Sequence, residues 1–270
     1  MTQLTGLDGK RVLVTAAANG IGLSIATSFS MAGANVCVCD NDASAVAEVK
    51  ERHAHLQVCL TDVSKSDQVE DLFDKVKSEL GGLDILVNNA GIGGPVGRLE
   101  TALESEWVKT VEVNLLGTYY CCRHAIPLLE KVAGGSIVNL SSSAGLYGPP
   151  NRTSYVSSKW GLIGLTKSLA AELGERSIRV NAICPGSVEG ERIERIIAAE
   201  ASLRDVDQNT VKEEFVDSSS MKVFIAKEDV AALVMFLCSN QGRYISGQAI
   251  GCLLYTSPSP RDATLSRMPS

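Results

Sequence analysis

The sequence contains no uninterrupted apolar stretch close to the ~20 residues that a membrane-spanning helix needs. Residues 1–10 lack the basic start and apolar middle of a secretory signal peptide. We therefore expect a cytoplasmic protein that does not associate with a membrane. Basic residues are also outnumbered, with 25 Lys and Arg against 31 Asp and Glu, so no face suited to nucleic acid is expected.

Metal-ligand motifs are scarce as well. The eight cysteines form no Cys-x-x-Cys pair, and most lie within apolar runs, where a buried free thiol is the usual state. The three histidines, His53, His55 and His124, are scattered and fall in no ligand-spacing motif. Neither disulfides nor a metal site are therefore predicted.

The sequence does contain a regular alternation of apolar runs. Six short runs rich in Val, Ile and Leu are typical of strands buried on both faces: residues 11–15, 35–40, 56–60, 83–88, 136–141 and 179–184. Helical patterns occupy residues 21–32, 43–52, 66–80, 105–129, 154–173 and 227–239. This order predicts one α/β domain, a Rossmann-type doubly wound parallel sheet with helices on both faces. Residues 248–251 begin a seventh strand, and the polar residues 190–222 are a candidate lid.

The composition changes abruptly at Cys252, after which Ser, Pro, Arg and Thr dominate. Residues 252–262 resemble the translation of a common sequencing-library adapter. We therefore expect a natural domain over residues 1–251 and a non-native tail over residues 252–270. A natural low-complexity tail is the alternative.

A glycine-containing loop follows the first predicted strand. Residues 15–22 are Thr-Ala-Ala-Ala-Asn-Gly-Ile-Gly and lead directly into a helix. Glycines let the backbone approach a pyrophosphate, and the helix N-terminus offers unpaired N–H groups. Asp40 ends the second strand about 20 residues later, where a carboxylate can bind the adenosine ribose and repel a 2′-phosphate. The pattern favours NAD; a ligand-free turn and a capping role for Asp40 are the alternatives.

A tyrosine and a lysine lie four residues apart at the start of a later helix. Tyr155 and Lys159 therefore share one helical face. A free tyrosine titrates near pH ~10, and an adjacent ammonium group favours its phenolate. Because this pair occurs by chance in many helices, it becomes informative only together with the glycine-containing loop. Asn114 in the long helix and Ser142 after the fifth strand are further polar candidates.

Together these motifs resemble the short-chain dehydrogenase/reductase family over residues 7–251. The resemblance implies that Tyr155 is the general acid/base and that Ser142 hydrogen-bonds the substrate oxygen. Lys159 would lower the tyrosine pKa and hold the nicotinamide ribose, and Asn114 would maintain a water in the proton relay. The implied cofactor contacts are Asn19, Gly20, Ile21, Gly22, Asp40, Asp62, Val63, Asn89, Ala90, Gly91, Tyr155, Lys159, Pro185, Gly186 and Val188. A homotetramer or homodimer, built partly on the helices of Asn114 and Tyr155, is also implied.

The sequence departs from the family pattern at three places. The first glycine of the phosphate loop is replaced by Ala16, which tolerates less backbone strain. The threonine that usually follows Pro-Gly-x-Val-x is Gly190, which lacks the side chain for one cofactor contact. The closing Val-Asp-Gly-Gly segment is replaced from Cys252 onward, so this sequence lacks part of the family's last strand and of one subunit interface.

The resemblance predicts an NAD-dependent oxidoreductase that interconverts a secondary alcohol and its ketone, both small molecules. A catalytically silent NAD-sensing regulator is a second hypothesis, and the loss of Tyr155 or Lys159 would favour it. A sugar-nucleotide epimerase or dehydratase is a third, for which the chain lacks a substrate domain. Activities like those of a 3-oxoacyl reductase or a sugar dehydrogenase are further alternatives.

An anionic substrate, such as a hydroxy acid, is predicted from two arginines. Arg152 lies three residues before Tyr155, and Arg195 belongs to the candidate lid together with Arg192. Residues 15–18, 151–152 and 194–196 resemble the cytosolic hydroxybutyrate-dehydrogenase branch, in which arginines at these places bind the substrate carboxylate. A planar guanidinium suits bidentate recognition of a carboxylate. Solvated surface arginines are the alternative.

Overall fold

The computed structural model describes residues 4–132 and 134–252 of the chain. Within them, seven strands form one sheet in the order β3-β2-β1-β4-β5-β6-β7, and every neighbouring pair is parallel. The strands are β1 Arg11–Thr15, β2 Asn35–Asp40, β3 Gln57–Leu60, β4 Ile85–Asn88, β5 Ser136–Leu140, β6 Arg179–Cys184 and β7 Ala249–Gly251. The predicted doubly wound parallel sheet is confirmed, with strand ends that shift by one or two residues.

Helices cover both faces of this sheet. They are α1 Gly20–Met31, α2 Ala43–Arg52, α3 Ser66–Glu79, α4 Glu104–Val111, α5 Gly117–Leu129, α6 Thr153–Leu173, α7 Glu191–Arg204, α8 Gln208–Ser218 and α9 Lys227–Cys238. Successive strand side chains point to opposite faces, so Val12 and Val14 pack in one apolar cluster with α1 and α9. Leu13 packs in a second cluster with α3 and α5. None of the helices in residues 4–132 and 134–252 is long and apolar enough to cross a membrane.

The single helix predicted over residues 105–129 is wrong in one respect. Helices α4 and α5 are joined by a π-helical turn, Glu112–Leu116, in which the backbone hydrogen bonds skip one extra residue. Asn114 lies in this turn with its side chain completely buried. One inserted residue barely changes an apolar pattern of period 3.6, so the sequence does not reveal it.

The segment of residues 190–222, called the lid below, contains α7 and α8. It has a small apolar core of its own, made of Ile193, Ile197, Ala201 and Val211. Two ion pairs join the helices: Arg204 Nη2 donates to Glu214 Oε1 at 2.8 Å, and Lys212 Nζ donates to Glu194 Oε1 at 3.0 Å. The candidate lid is therefore a packed helical hairpin.

Seven of the eight cysteines are buried and the eighth, Cys252, is partly buried; all eight are free thiols. The predicted seventh strand is present, because β7 pairs with β6. The backbone N–H of Cys252 also donates to the carbonyl of Cys184 at 3.3 Å. The remainder of the expected non-native tail, residues 253–270, lies outside the described residues.

Candidate active site

A cleft of about 1850 Å³ runs along the carboxyl ends of the strands. It crosses the gap between β1 and β4, where the strand order reverses and doubly wound sheets bind their ligands. A pocket for a drug-sized ligand measures about 300–1,000 Å³, so this cleft has room for a dinucleotide and a second molecule. The sequence-predicted residues that line the cleft include Asn19, Gly20, Ile21, Gly22, Asp40, Asp62, Val63, Asn89, Ala90, Gly91, Ser142, Arg152, Tyr155, Lys159, Pro185, Gly186, Val188 and Arg195.

The loop after β1 has a strained but well-supported backbone. Ala16 adopts a φ of +48°, in the left-handed region that favours glycine. The side chain of Asn89 holds this turn, because its Nδ2 donates to the carbonyl oxygens of Thr15 at 3.0 Å and Ala16 at 2.8 Å. The alanine at the first glycine position is therefore accommodated, and Asn89 acts here on the loop backbone.

The glycines that follow bring helix α1 close to this loop. A Cβ on Gly22 would lie 2.4 Å from the carbonyl oxygen of Ala16, which no side chain allows. Gly20 has a φ of +54°. Asn19 caps α1 without a side-chain hydrogen bond, and the first turn carries no acidic residue. The exposed N–H groups at this helix end are therefore available to an anion, and they fit the pyrophosphate of a dinucleotide.

Asp40 lies at the end of β2 and is 9% exposed. Its Oδ2 accepts a hydrogen bond from the N–H of Ala18 at 3.1 Å, and its Oδ1 accepts one from the N–H of Asp42 at 3.2 Å. The carboxylate of Asp40 therefore caps backbone N–H groups, the structural role given above as the alternative to cofactor binding. Each carboxylate oxygen can accept more than one hydrogen bond, so the group also retains capacity for ribose hydroxyls.

The wall beyond Asp40 is formed by the segment after β3. Asp62 Oδ1 accepts hydrogen bonds from the N–H and hydroxyl of Ser64 at 2.9 Å and 2.8 Å, which fixes the turn. Val63 is buried against Gly117 at the start of α5. A Cβ atom added to Gly117 would lie 2.9 Å from Val63 Cγ2, so the two residues are closely packed. These contacts fix a surface with one apolar side chain, Val63, beside the carboxylate of Asp62, and this combination fits an adenine ring and its amino group.

Helix α6 presents Tyr155 and Lys159 to the cleft. Lys159 is 2% exposed, and its Nζ donates to the carbonyl of Leu140 at 2.6 Å and lies 5.7 Å from the centre of the Tyr155 ring. Ser142, two residues after the end of β5, hydrogen-bonds Tyr155. The Oγ of Ser142 also accepts from the N–H of Ala144 at 3.1 Å. Three of the four predicted catalytic residues thus lie together.

Asn114 connects helix α6 to the loop after β4, beneath the cleft. Its Oδ1 accepts from the N–H of Ile92 at 2.7 Å, and its Nδ2 donates to the carbonyl of Ile92 at 3.0 Å. The same Nδ2 donates to Ser158 Oγ at 3.0 Å. Both amide protons of Asn114 are therefore bound by protein atoms, and the side chain orders the backbone next to Gly91.

Two guanidinium groups lie against Tyr155. The Cζ of Arg152 is 4.8 Å from the ring centre, and that of Arg192 is 5.5 Å from it. Arg152 Nη2 donates to the carbonyl of Gly93 at 3.1 Å, and Arg192 Nη1 donates to that of Gly91 at 3.4 Å. Arg195 lines the cleft but has no cation-π contact with Tyr155 within the described residues. The lid arginine beside the tyrosine is therefore Arg192.

These charges set the ionisation of the tyrosine. Burial of the phenol opposes ionisation, but Arg192, Lys159, the hydrogen bond from Ser142 and Arg152 together lower the pKa of Tyr155 to about 8. Burial in turn lowers the pKa of Lys159 to about 8, and the attraction of Tyr155 partly offsets that effect. The arrangement favours a phenolate within a unit or so of neutrality.

The far end of the cleft is formed by the segment after β6. The carbonyl of Pro185 accepts from the N–H of Ser143 at 2.8 Å, which ties this segment to the loop that carries Ser142. Val188 pairs with Ile225 in a short parallel bridge, so both ends of the lid are anchored side by side. Pro185, Gly186 and Val188 therefore bound the cleft opposite the phosphate loop.

The sequence predicts no role for Arg192 beyond membership of the candidate lid, although it is a principal neighbour of Tyr155. The signal was weak, because Arg192 and Arg195 lie on nearly the same face of α7 and differ by one turn along the helix. Gly190 supplies the missing geometry: its φ of +128° turns the chain immediately before α7. A threonine, usual at this position, would rarely adopt that conformation.

A dinucleotide-sized cleft at the strand switch point, with a tyrosine and lysine on one helix, defines a nicotinamide-dependent oxidoreductase. The sequence profile described as "Enoyl-(Acyl carrier protein) reductase" matches residues 15–252. The chain belongs to the short-chain dehydrogenase/reductase family, and it is an oxidoreductase that acts on secondary alcohols and ketones.

Individual relatives agree with this assignment. The chain is 35% identical over 249 residues to the 3-oxoacyl-[acyl-carrier-protein] reductase of Thermotoga maritima, covering 91% of this chain and 96% of the relative. It is 33% identical over 245 residues to the D-beta-hydroxybutyrate dehydrogenase of Rhizobium meliloti, covering 88% and 95%. A solved NAD+-bound xylitol dehydrogenase superposes with a TM-score of 0.87 at 27% identity, covering 92% of this chain and 99% of that one. Similar solved structures contain NAD+, NADH or NADPH, so a nicotinamide cofactor is supported.

Proposed function

We propose that the protein is an NAD(H)-dependent dehydrogenase in which Tyr155 is the general acid/base. The observation that carries this proposal is the position of Tyr155 among Lys159, Ser142 and two arginines, which lowers its pKa to about 8. The bound nicotinamide supplies the hydride acceptor for alcohol oxidation and the hydride donor for ketone reduction. In the silent-regulator hypothesis this arrangement would have no purpose.

The side chains divide the proton chemistry among them. In alcohol oxidation, the phenolate of Tyr155 takes the proton from the substrate hydroxyl, and in ketone reduction the phenol returns it. The single hydroxyl proton of Ser142 is donated to the phenolate in the free site and to the substrate oxygen when substrate is bound. Lys159 stabilises the phenolate and donates to the nicotinamide ribose. Asn114 keeps the backbone of residues 91–92 in place beside these groups, and a relay water near it stays a prediction.

The cofactor contacts proposed from sequence lie in three groups. Asn19, Gly20, Ile21 and Gly22 would hold the pyrophosphate; Asp40, Asp62 and Val63 would hold the adenosine; and Asn89, Ala90, Gly91, Pro185, Gly186 and Val188 would border the nicotinamide half. Their support is that these side chains and backbone groups line one continuous cleft.

We predict that the protein prefers NAD to NADP by at least about tenfold in kcat/KM, or about 1.4 kcal/mol. Asp40 presents a buried carboxylate where the 2′-phosphate of NADP would lie, and the two anions repel each other. Asp40→Asn keeps the shape and an acceptor for Ala18, so it should reduce the NAD/NADP ratio. Steady-state kinetics with both cofactors measure this, and an equal or higher kcat/KM with NADP in the wild type would refute the assignment.

For the substrate we propose a small hydroxy acid or its keto acid, bound through Arg152 and Arg192. Both guanidinium groups lie against the ring that receives the proton, so a carboxylate between them would bring the neighbouring carbinol to Tyr155. The resemblance to a D-beta-hydroxybutyrate dehydrogenase supports this class. A 3-oxoacyl thioester is the second candidate, since the relative from Thermotoga maritima is named for that activity.

Arg152→Ala should raise KM for 3-hydroxybutyrate at least tenfold, a loss of about 1.4 kcal/mol, while KM for the neutral alcohol 2-butanol stays within twofold or so. The reason is that only the acid loses a charge-assisted hydrogen bond. Arg98→Ala is the matched control, because Arg98 is paired with Glu100 and does not line the cleft. Equal effects of Arg152→Ala on both substrates would count against a carboxylate site.

The proposal also covers the domain boundaries, the oligomeric state and the cellular location. We propose residues 1–251 as the dehydrogenase domain and residues 252–270 as a non-native tail, in keeping with a family match that ends at residue 252. A homotetramer or homodimer is proposed, because exposed apolar side chains such as Val108, Tyr119 and Trp160 lie on helices α4 to α6. The cytoplasmic location stays a prediction.

A further inference from the structure

Arg192 reaches the tyrosine from a different element than the other charged groups do. Lys159 and Arg152 belong to α6 or its N-cap, and their distance from Tyr155 is fixed by that helix. Arg192 is the second residue of α7, in the lid. Its guanidinium therefore lies beside the ring only when the lid covers the cleft.

The lid is packed as a unit of its own. Its small core of Ile193, Ile197, Ala201 and Val211 is separate from the two large clusters of the domain. At its start, Gly190 has a φ of +128° and no atom within 4 Å of the position of a Cβ. A residue with this backbone freedom and this much open space is suited to absorb a change in chain direction.

Within the described residues, no carboxylate forms an ion pair with Arg192. The carboxylates of Glu106 on α4, and of Glu189 and Glu191 at the start of the lid, line the same cleft. The side chain of Arg192 is exposed, and its contacts are the Tyr155 ring at 5.5 Å and the carbonyl of Gly91 at 3.4 Å. Its positive charge is therefore directed at the tyrosine rather than neutralised by a neighbouring acid.

We infer that Arg192 is a positioning residue that couples the lid to proton transfer, because its guanidinium stabilises the phenolate of Tyr155 when α7 covers the cleft. This inference rests on the proposed function. The tyrosine becomes a better proton acceptor in the covered site, where substrate and cofactor are held, than in the open one. Arg192 accordingly acts through Tyr155, and any contact it makes with a substrate carboxylate is additional.

The direct test is an ultraviolet titration of tyrosine ionisation in the full chain without substrate. Subtracting the curve of Tyr155→Phe from that of the protein isolates one phenolate, with an expected midpoint near pH 8. Arg192→Met should raise this midpoint by at least about half a pH unit, because one favourable charge is lost. Arg192→Lys, which keeps the charge, should recover part of the change.

Arg195→Met is the matched control, since it removes the same charge from an exposed position one turn later on α7. It should leave the midpoint unchanged. An unchanged midpoint in Arg192→Met, or equal changes in Arg192→Met and Arg195→Met, would overturn the inference. Substantial activity in Tyr155→Phe would instead refute the proposed function, so the two failures are distinguishable.

Ionic strength gives a second readout that loss of structure would not imitate. The Debye length falls from about 30 Å at 0.01 M salt to about 3 Å at 1 M, so an exposed charge is screened much more than a buried one. The midpoint in the wild type should rise over this range more than the midpoint in Arg192→Met, which retains only Lys159 and Arg152. A rise of the same size in both proteins would contradict the inference.

Discussion

Tyr155→Phe is expected to lower turnover by about 10²–10⁴-fold, the usual contribution of a general acid/base. The variant lacks only the hydroxyl that exchanges the proton. Its ring is kept, so the cation-π contacts of Arg152 and Arg192 can still form. Because the cofactor contacts at the phosphate loop and at Asp40 are unchanged, the dissociation constant for NADH should stay within about threefold of the wild-type value.

This prediction is checked by pairing two measurements on the same preparation. Turnover is followed by the absorbance of reduced nicotinamide, and cofactor binding by NADH fluorescence. Substantial residual turnover on a substrate that the wild type accepts would mean that the proton acceptor is another group. A large loss of NADH binding would mean that the substitution acts on the cofactor site instead.

Lys159→Met is expected to reduce kcat at least about tenfold and also to weaken NAD binding, in contrast to Tyr155→Phe. Methionine approximates the length and volume of the lysine stem but removes the charge that favours the phenolate. It also leaves the carbonyl of Leu140 without its 2.6 Å donor. The pKa of Tyr155 should rise because one of its main cationic neighbours is lost.

Lys167→Met is the control for this second prediction. Lys167 lies two turns further along α6, is exposed, and donates to the carbonyl of Gly247 at 3.3 Å, away from the cleft. It should keep wild-type kcat and NAD affinity. If Lys159→Met lost NAD binding but kept kcat at saturating cofactor, its role would be confined to the ribose. Unchanged kinetics would remove Lys159 from the mechanism.

The architecture could be predicted from the sequence because strands buried on both faces are continuous in apolar character. Runs such as residues 11–15 and 35–40 coincide with β1 and β2 to the residue. Their alternation with helical patterns leaves few topologies for a parallel sheet, since crossovers are right-handed and short. The motifs then place their residues at the carboxyl ends of strands, where the cleft is found.

The features that could not be predicted depend on single backbone angles or on contacts distant in sequence. The π turn at Glu112–Leu116 inserts one residue with little change in the apolar pattern, and it buries Asn114 against Ile92. The contact of Arg192 with Tyr155 joins residues of different elements, and it depends on the φ of Gly190. The backbone conformation of Ala16 could not be predicted either, because its φ of +48° is stabilised by Asn89, 73 residues away in the sequence.

The most direct test of the central claim is a labelling experiment with 3-hydroxybutyrate that carries deuterium on its carbinol carbon. We expect the deuterium to appear on the nicotinamide ring of NAD, with slower turnover than for the unlabelled acid, and the rate of label transfer should fall by about 10²–10⁴-fold in Tyr155→Phe. If 3-hydroxybutyrate is not oxidised, the experiment is repeated with 2-butanol and other secondary alcohols that carry deuterium on the carbinol carbon. Oxidation in which the ring hydrogen comes from solvent, or label transfer in Tyr155→Phe at the wild-type rate, would contradict hydride transfer coupled to a proton on Tyr155.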